Sequence, residues 1–105
     1  MTVQVKPFCL EIEMTTEITT VLVERGARYG KFTGHAEVTC GLKAVAFEAL
    51  CTRNKRLAPD QQEALDMIFH KIGRIINGDP DYADSWVDIA GYAKLVADRL
   101  EGVSR

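Results

Sequence analysis

The chain has 105 residues, of which 47% are hydrophobic and 27% charged, the balance of one ordinary soluble globular domain rather than a disordered or membrane-spanning chain. Thirteen Lys and Arg against fifteen Asp and Glu leave a formal net charge of -2. This excludes the generic phosphate-backbone binding by which a protein holds bulk nucleic acid. No apolar run is longer than the stretch Ala44 to Phe47, far short of the roughly 20 residues a membrane helix needs. Cys9, Cys40 and Cys51 are odd in number, lack C-x-x-C spacing and follow no signal-like stretch, so the expected setting is a reducing cytoplasm with the thiols as small apolar fillers.

In chain order, residues 1–14 read as an N-terminal extension or short strand, because Phe8, Leu10 and Ile12 alternate with Cys9, Glu11 and Glu13 at the period of a strand. Residues 15–103 read as a single helical domain. From Thr16, the residues Ile18, Val21, Leu22, Arg25 and Tyr29 share one helical face. Seven of the nine residues Thr15 to Val23 are β-branched, which keeps a strand in competition. Gly26, Gly30 and Gly34 predict a loop. A second helix is expected from His35 to Thr52, on Val38, Leu42, Val45, Ala46 and Ala49. Pro59 suits the first turn of a third, which carries Leu65, Ile68, Phe69, Ile72, Ile75 and Ile76 and ends at a left-handed cap on Asn77-Gly78. A fourth starts between Pro80 and Ser85 and runs to Leu100, with a core stripe of Trp86, Ile89, Ala90, Ala93, Val96, Ala97 and Leu100. The predicted fold is all-α: a compact bundle of three to four antiparallel helices, with a short N-terminal β-strand as an open alternative.

Two polar stripes carry the candidate chemistry. Glu63, Asp66, His70, Arg74 and Asn77 lie on one face of the third helix, and Asp84, Asp88, Gly91 and Asp98 on one face of the fourth. If the stripes faced each other, Glu63, Asp66, Asp84 and Asp88 would form a four-carboxylate cluster, which favours a hard cation such as Mg²⁺ because like charges at close range otherwise repel. The competing reading is that each stripe is the solvated back of its helix. Tyr92 and Leu95 interrupt the back of the fourth helix and point to a second contact surface, hence a homo-oligomer.

The glycine segment between the first two helices is the other candidate. Arg25, Arg28 and Lys31 together with Tyr29 combine cations, a stacking ring and backbone able to approach a ligand closely, which suits a phosphorylated nucleotide. His70, Lys71 and Arg74 could add to the same pocket, although His70 also reads as a surface residue bonded within its own helix. His35 reads as a helix-start residue, and Arg53 to Arg56 as a solvated helix end.

The blocks Glu24-Arg25-Gly26-Ala27-Arg28-Tyr29-Gly30-Lys31-Phe32 and Gly78-Asp79-Pro80-Asp81-Tyr82-Ala83-Asp84-Ser85-Trp86-Val87-Asp88-Ile89-Ala90-Gly91-Tyr92-Ala93 resemble a family of small proteins encoded by bacteriophages and prophages. More distantly, an acidic helix followed by acidic-x-x-x-Asp-Ile-Ala-x-Tyr is similar to the all-α, MazG-like nucleoside triphosphate pyrophosphohydrolases. That resemblance implies Mg²⁺ held by an E-x-x-E pair, matched by Glu63-x-x-Asp66 with Asp for Glu, and by an E-x-x-D pair, for which Asp84 and Asp88 are one residue too far apart. Three functions are therefore expected to compete: a Mg²⁺-dependent nucleotide hydrolase, a non-catalytic binder that sequesters a nucleotide signal of host anti-phage defence, and an inhibitor of a host protein.

Overall fold

The computed structural model describes the backbone of residues 8–105 and the side chains of residues 16–105. The described residues form four helices: α1 (Phe8–Tyr29), α2 (Phe32–Thr52), α3 (Pro59–Asn77) and α4 (Ala83–Leu100). The all-α expectation holds. The part of the expected N-terminal extension that covers residues 1–7 lies outside the described residues. The expected strand at Phe8 to Glu13 is instead the beginning of α1. A lone strand leaves its backbone groups without a partner, whereas a helix satisfies them within itself. The β-branched run is accommodated in the same way: the Thr20 hydroxyl donates to the Thr16 carbonyl at 3.0 Å.

The glycine loop is shorter than its three glycines suggest. α1 continues through Gly26 to Tyr29 and α2 opens at Phe32, so the turn is only Gly30-Lys31. Gly30 has φ of 80°, a left-handed conformation that glycine adopts without penalty. Asn77, at the end of α3, clamps this corner by donating through Nδ2 to the carbonyls of Tyr29 at 3.0 Å and Lys31 at 2.8 Å. The Asp79 amide adds a bond to the Arg28 carbonyl at 2.9 Å. Gly78 is therefore required for proximity and not for a left-handed cap. Its φ is -129°, and a Cβ there would run into the Tyr29 backbone. Pro59 begins α3 as expected, and the Gln61 side chain accepts from the Ala58 amide at 2.9 Å, closing the helix start.

Helix α3 is the middle of a layer, with α2 on one side and α4 on the other. Both neighbours run antiparallel to it. His35 near the start of α2 meets His70 late in α3, while Asp60 at the start of α3 takes a bidentate bond from Arg99 at the end of α4 at 2.6 and 2.8 Å. The seams are made by small and polar residues. Ala64, Gly73, His35, Thr39 and Ser85 are buried, and Ala64 is the one buried hydrophobic residue among those described. α1 touches the layer only through its last turns and extends away from it, giving overall dimensions of 53 × 32 × 28 Å.

This packing rotates α4 relative to expectation. Ser85, Ile89, Tyr92 and Val96 lie toward α3, while Trp86, Ala90, Ala93, Ala97 and Leu100 are exposed. The thiols of Cys40 and Cys51 are exposed as well, not buried fillers, and both are free; the Cys9 side chain is outside the described set. No helix among the described residues is long and apolar enough to cross a membrane.

Gly73 is the closest point of the α2–α3 seam, where an added Cβ would fall 2.6 Å from Thr39 Cγ2 and 2.9 Å from His35 Nδ1. Gly73→Ala is expected to destabilise the fold by about 1–3 kcal/mol, although the same change in an open helix stabilises. Gly41→Ala, which meets nothing within 4 Å, should raise stability by roughly 0.5–1 kcal/mol. Thermal melts of the two variants with opposite shifts in Tm check this.

Candidate functional site: a cationic groove at the α1–α2 corner

The clamp at Asn77 brings the end of α1 and the start of α2 onto α3, and the groove so formed holds most of the cations picked out in the sequence. Leu22, Arg25, Gly26 and Tyr29 of α1, Gly30 and Lys31 of the turn, Phe32 and His35 of α2, and His70 and Arg74 of α3 line a groove of about 630 Å³. A neighbouring hollow of about 580 Å³ shares Arg25, Tyr29 and Arg74 and adds Glu24, Arg28 and Asp79. Both volumes are in the range of small-molecule sites.

Rings hold the cations in place. The Arg74 guanidinium lies 4.2 Å from the centroid of the Tyr29 ring, and that of Arg28 lies 4.3 Å from the Tyr82 ring. The two tyrosines meet edge to face at 6.2 Å. Cation–π stacking fixes a guanidinium while leaving its N–H edge free to donate. Tyr82 is itself anchored by donating to Asp84 at 2.8 Å. Phe32 is 78% exposed and offers the groove an open aromatic face.

The floor is a histidine pair. His35 Nε2 and His70 Nδ1 share a hydrogen bond of 3.2 Å, with the rings edge to face at 4.6 Å. Burial, reinforced by the nearby Arg74 charge, lowers the pKa of both; His70 falls to about 4. The pair is therefore neutral at pH 7. His35 is not merely a helix-start residue: it is buried, and its Nδ1 has no hydrogen-bond partner.

The carboxylates do not assemble. Among the described residues no group of three or more His, Cys, Asp or Glu is arranged to hold a metal ion. The antiparallel seam is the reason. With Asp60 paired to Arg99 and Lys71 to Asp88, Glu63 lies near the level of Val96 and Asp84 near that of Ile75. About twelve residue rises, or ~18 Å, therefore separate Glu63 from Asp84 along the axis. Three of the four acids also have local company. Asp66 accepts from Gln62 at 3.1 Å, Asp84 from Tyr82, and Asp88 pairs with Lys71 at 2.9 Å, while Glu63 is exposed. The donor set does not fit the expected Mg²⁺ site, and Lys71 is committed to α4 instead of the groove. Of the residues predicted to bind a nucleotide, Arg25, Arg28, Tyr29, Lys31, His70 and Arg74 come together. Phe32, His35 and Leu22 join them without having been selected, and only the nearness of Phe32 to the glycine turn could have flagged any of the three.

The chain belongs to the family described as a domain of unknown function, DUF6378, whose model matches residues 14–100. No curated protein and no solved structure matches it.

The histidine pair predicts a pH dependence. In the unfolded chain a histidine takes its proton near pH 6.5, whereas His70 in the folded chain resists until about pH 4 and His35 is shifted in the same direction. The unfolded state therefore binds more protons between these values, and stability is complete above about pH 6.5 and declines as pH falls toward 4. Denaturant titrations at pH 7.5, 6 and 4.5 should show the decline, and His70→Gln should flatten it.

Proposed function

We propose that this chain captures a phosphorylated, ring-bearing small molecule of the nucleotide type in the α1–α2 corner groove, binding it without turning it over. The observation that carries this reading is the convergence of Arg25, Lys31 and Arg74 with Tyr29, Phe32 and His70 on one groove of about 630 Å³. Guanidinium and ammonium groups supply charge-assisted donors to phosphate oxygens, and an exposed phenyl ring supplies a stacking face for a base. The neutral His70 beneath them has Nε2 left as a donor or acceptor, and the histidine pair adds no competing charge. The start of α2, with unpaired amides and no acidic residue in its first turn, opens on the same side and favours an anion.

Binding is favoured over hydrolysis because the acids that a Mg²⁺-dependent pyrophosphohydrolase would need are spread over α3 and α4 without forming a metal-holding group, with Asp88 engaged by Lys71 and Asp84 by Tyr82. In the phage setting that the sequence resemblance implies, such a binder would hold a nucleotide signal away from a host defence system in the bacterial cytoplasm.

Calorimetry against a panel of nucleoside mono-, di- and triphosphates and cyclic nucleotides, with and without Mg²⁺, tests the proposal. Saturable binding is expected, with the ligand recovered intact from denatured protein. Arg74→Ala should weaken binding on the order of tenfold or more, about 1.4 kcal/mol. Glu63→Gln, remote from the groove, should leave binding unchanged. Recovery of a cleaved ligand would show turnover and reject the binding-only reading, and no binding across the panel would reject both.

A further inference from the structure

One copy of this chain leaves half of a core uncovered. Three apolar arcs remain exposed on the layer. Between the seam residues of α3 that meet α2 (His70, Gly73, Asn77) and those that meet α4 (Asp60, Lys71), one open side carries Leu65, Ile72 and Ile76 within about 40°. On α2, Val38, Leu42, Val45 and Ala49 fall within about 60°, and on α4 Trp86, Ala90, Ala93, Ala97 and Leu100 within about 80°.

Because α2 and α4 both run opposite to α3, the right-handed winding of the helices turns all three arcs to the same side of the layer. The opposite side carries Glu63, Arg74, Asp84 and Asp88 and receives α1. None of the arc residues is charged, yet Val45 is 70% exposed, Ile76 64%, Trp86 55% and Leu100 61%. The charged residues of α2, Glu37, Lys43 and Glu48, all fall outside its arc.

We propose that this face is the interface of a homodimer, in which a second copy lays its own three-helix layer against the first about a twofold axis. A helical domain needs two layers to enclose a core, and three neighbouring helices of 18 to 21 residues present a face of roughly 27 by 30 Å, about 800 Å², which is what one partner of a stable complex buries. A second copy is the occupant of choice because an uncharged, flat apolar face is complementary to itself. The alanines at 90, 93 and 97 allow close approach around Trp86 and Leu100. The proposal does not depend on what the groove binds.

Sedimentation of the full chain should give a mass twice 11.7 kDa, and Ala93→Lys should weaken self-association on the order of tenfold or more. Leu95→Lys, on the other side of α4, should not. Since Ala93→Lys can also cost the fold, thiol labelling of Ala93→Cys, read at that peptide by mass spectrometry, provides an independent measure. Its rate should fall as protein concentration rises. A monomer at high concentration, a labelling rate independent of concentration, or a dimer broken by Leu95→Lys and not by Ala93→Lys would each overturn the proposal.

Discussion

The constraint on which the rest of this structure depends is the approach of α3 to its neighbours through residues too small or too polar to form a core. Gly73 lets Thr39 and His35 come within contact of the α3 backbone, and Ala64 and Ser85 serve the same purpose elsewhere in the layer. Close approach of this kind gains dispersion contacts and allows the side-chain bonds His35–His70, Lys71–Asp88 and Asp60–Arg99 to cross the seams. It also consumes the inward-facing positions. The large residues Leu65, Ile76, Trp86 and Leu100 are pushed to the rims of the helices, and the layer acquires one apolar side and one charged side.

The same geometry builds the groove. Asn77 can reach the Tyr29 and Lys31 carbonyls only because the last turn of α3 lies against the corner between α1 and α2, where Gly30 and Gly78 remove the side chains that would keep the backbones apart. One side-chain amide bonds both the Tyr29 carbonyl at the end of α1 and the Lys31 carbonyl, which also accepts from the His35 amide at 3.1 Å. Once the corner is fixed, Arg74 falls beneath Tyr29 and Arg28 against Tyr82. The guanidiniums are thus ordered before any ligand arrives, which reduces the entropy lost on binding. Neutral histidines at the floor follow from the same crowding, since a second positive charge beside Arg74 in a desolvated site is disfavoured.

Much of this was legible in the residues and some was not, for physical reasons. The limits of α3 could be read from Pro59 and Asn77-Gly78, and the cations and Tyr29 of the groove from their clustering around glycines. The rotation of α4 could not. Trp86, Ala90, Ala93 and Ala97 form the strongest apolar stripe on that helix, and hydrophobic periodicity finds the stripe without saying whether the same chain or another one covers it. The carboxylate cluster failed for a related reason: two stripes can share a side of a layer and still be separated along its length, because an antiparallel pair brings the start of one helix to the end of the next. His35 escaped notice because nothing local distinguishes a histidine that caps from one that is buried 35 positions from its partner.

The two sides of the layer relate binding to assembly. The groove opens where α1 arrives, on the charged side, and the proposed dimer face lies on the other, so a partner copy would leave the groove unobstructed. The two are nevertheless mechanically joined, because both sides of α3 belong to one rigid helix: Arg74 and Asn77 reach into the groove or its corner, while Ile72 and Ile76 belong to the apolar arc. Within a dimer, the end of α3 would be immobilised from beneath by the partner's layer. The α1 corner is clamped to that end of α3 through Asn77 and the Asp79 amide, so a ligand bridging Arg25 of α1 to Arg74 of α3 would meet a corner already held in place from both sides of the layer.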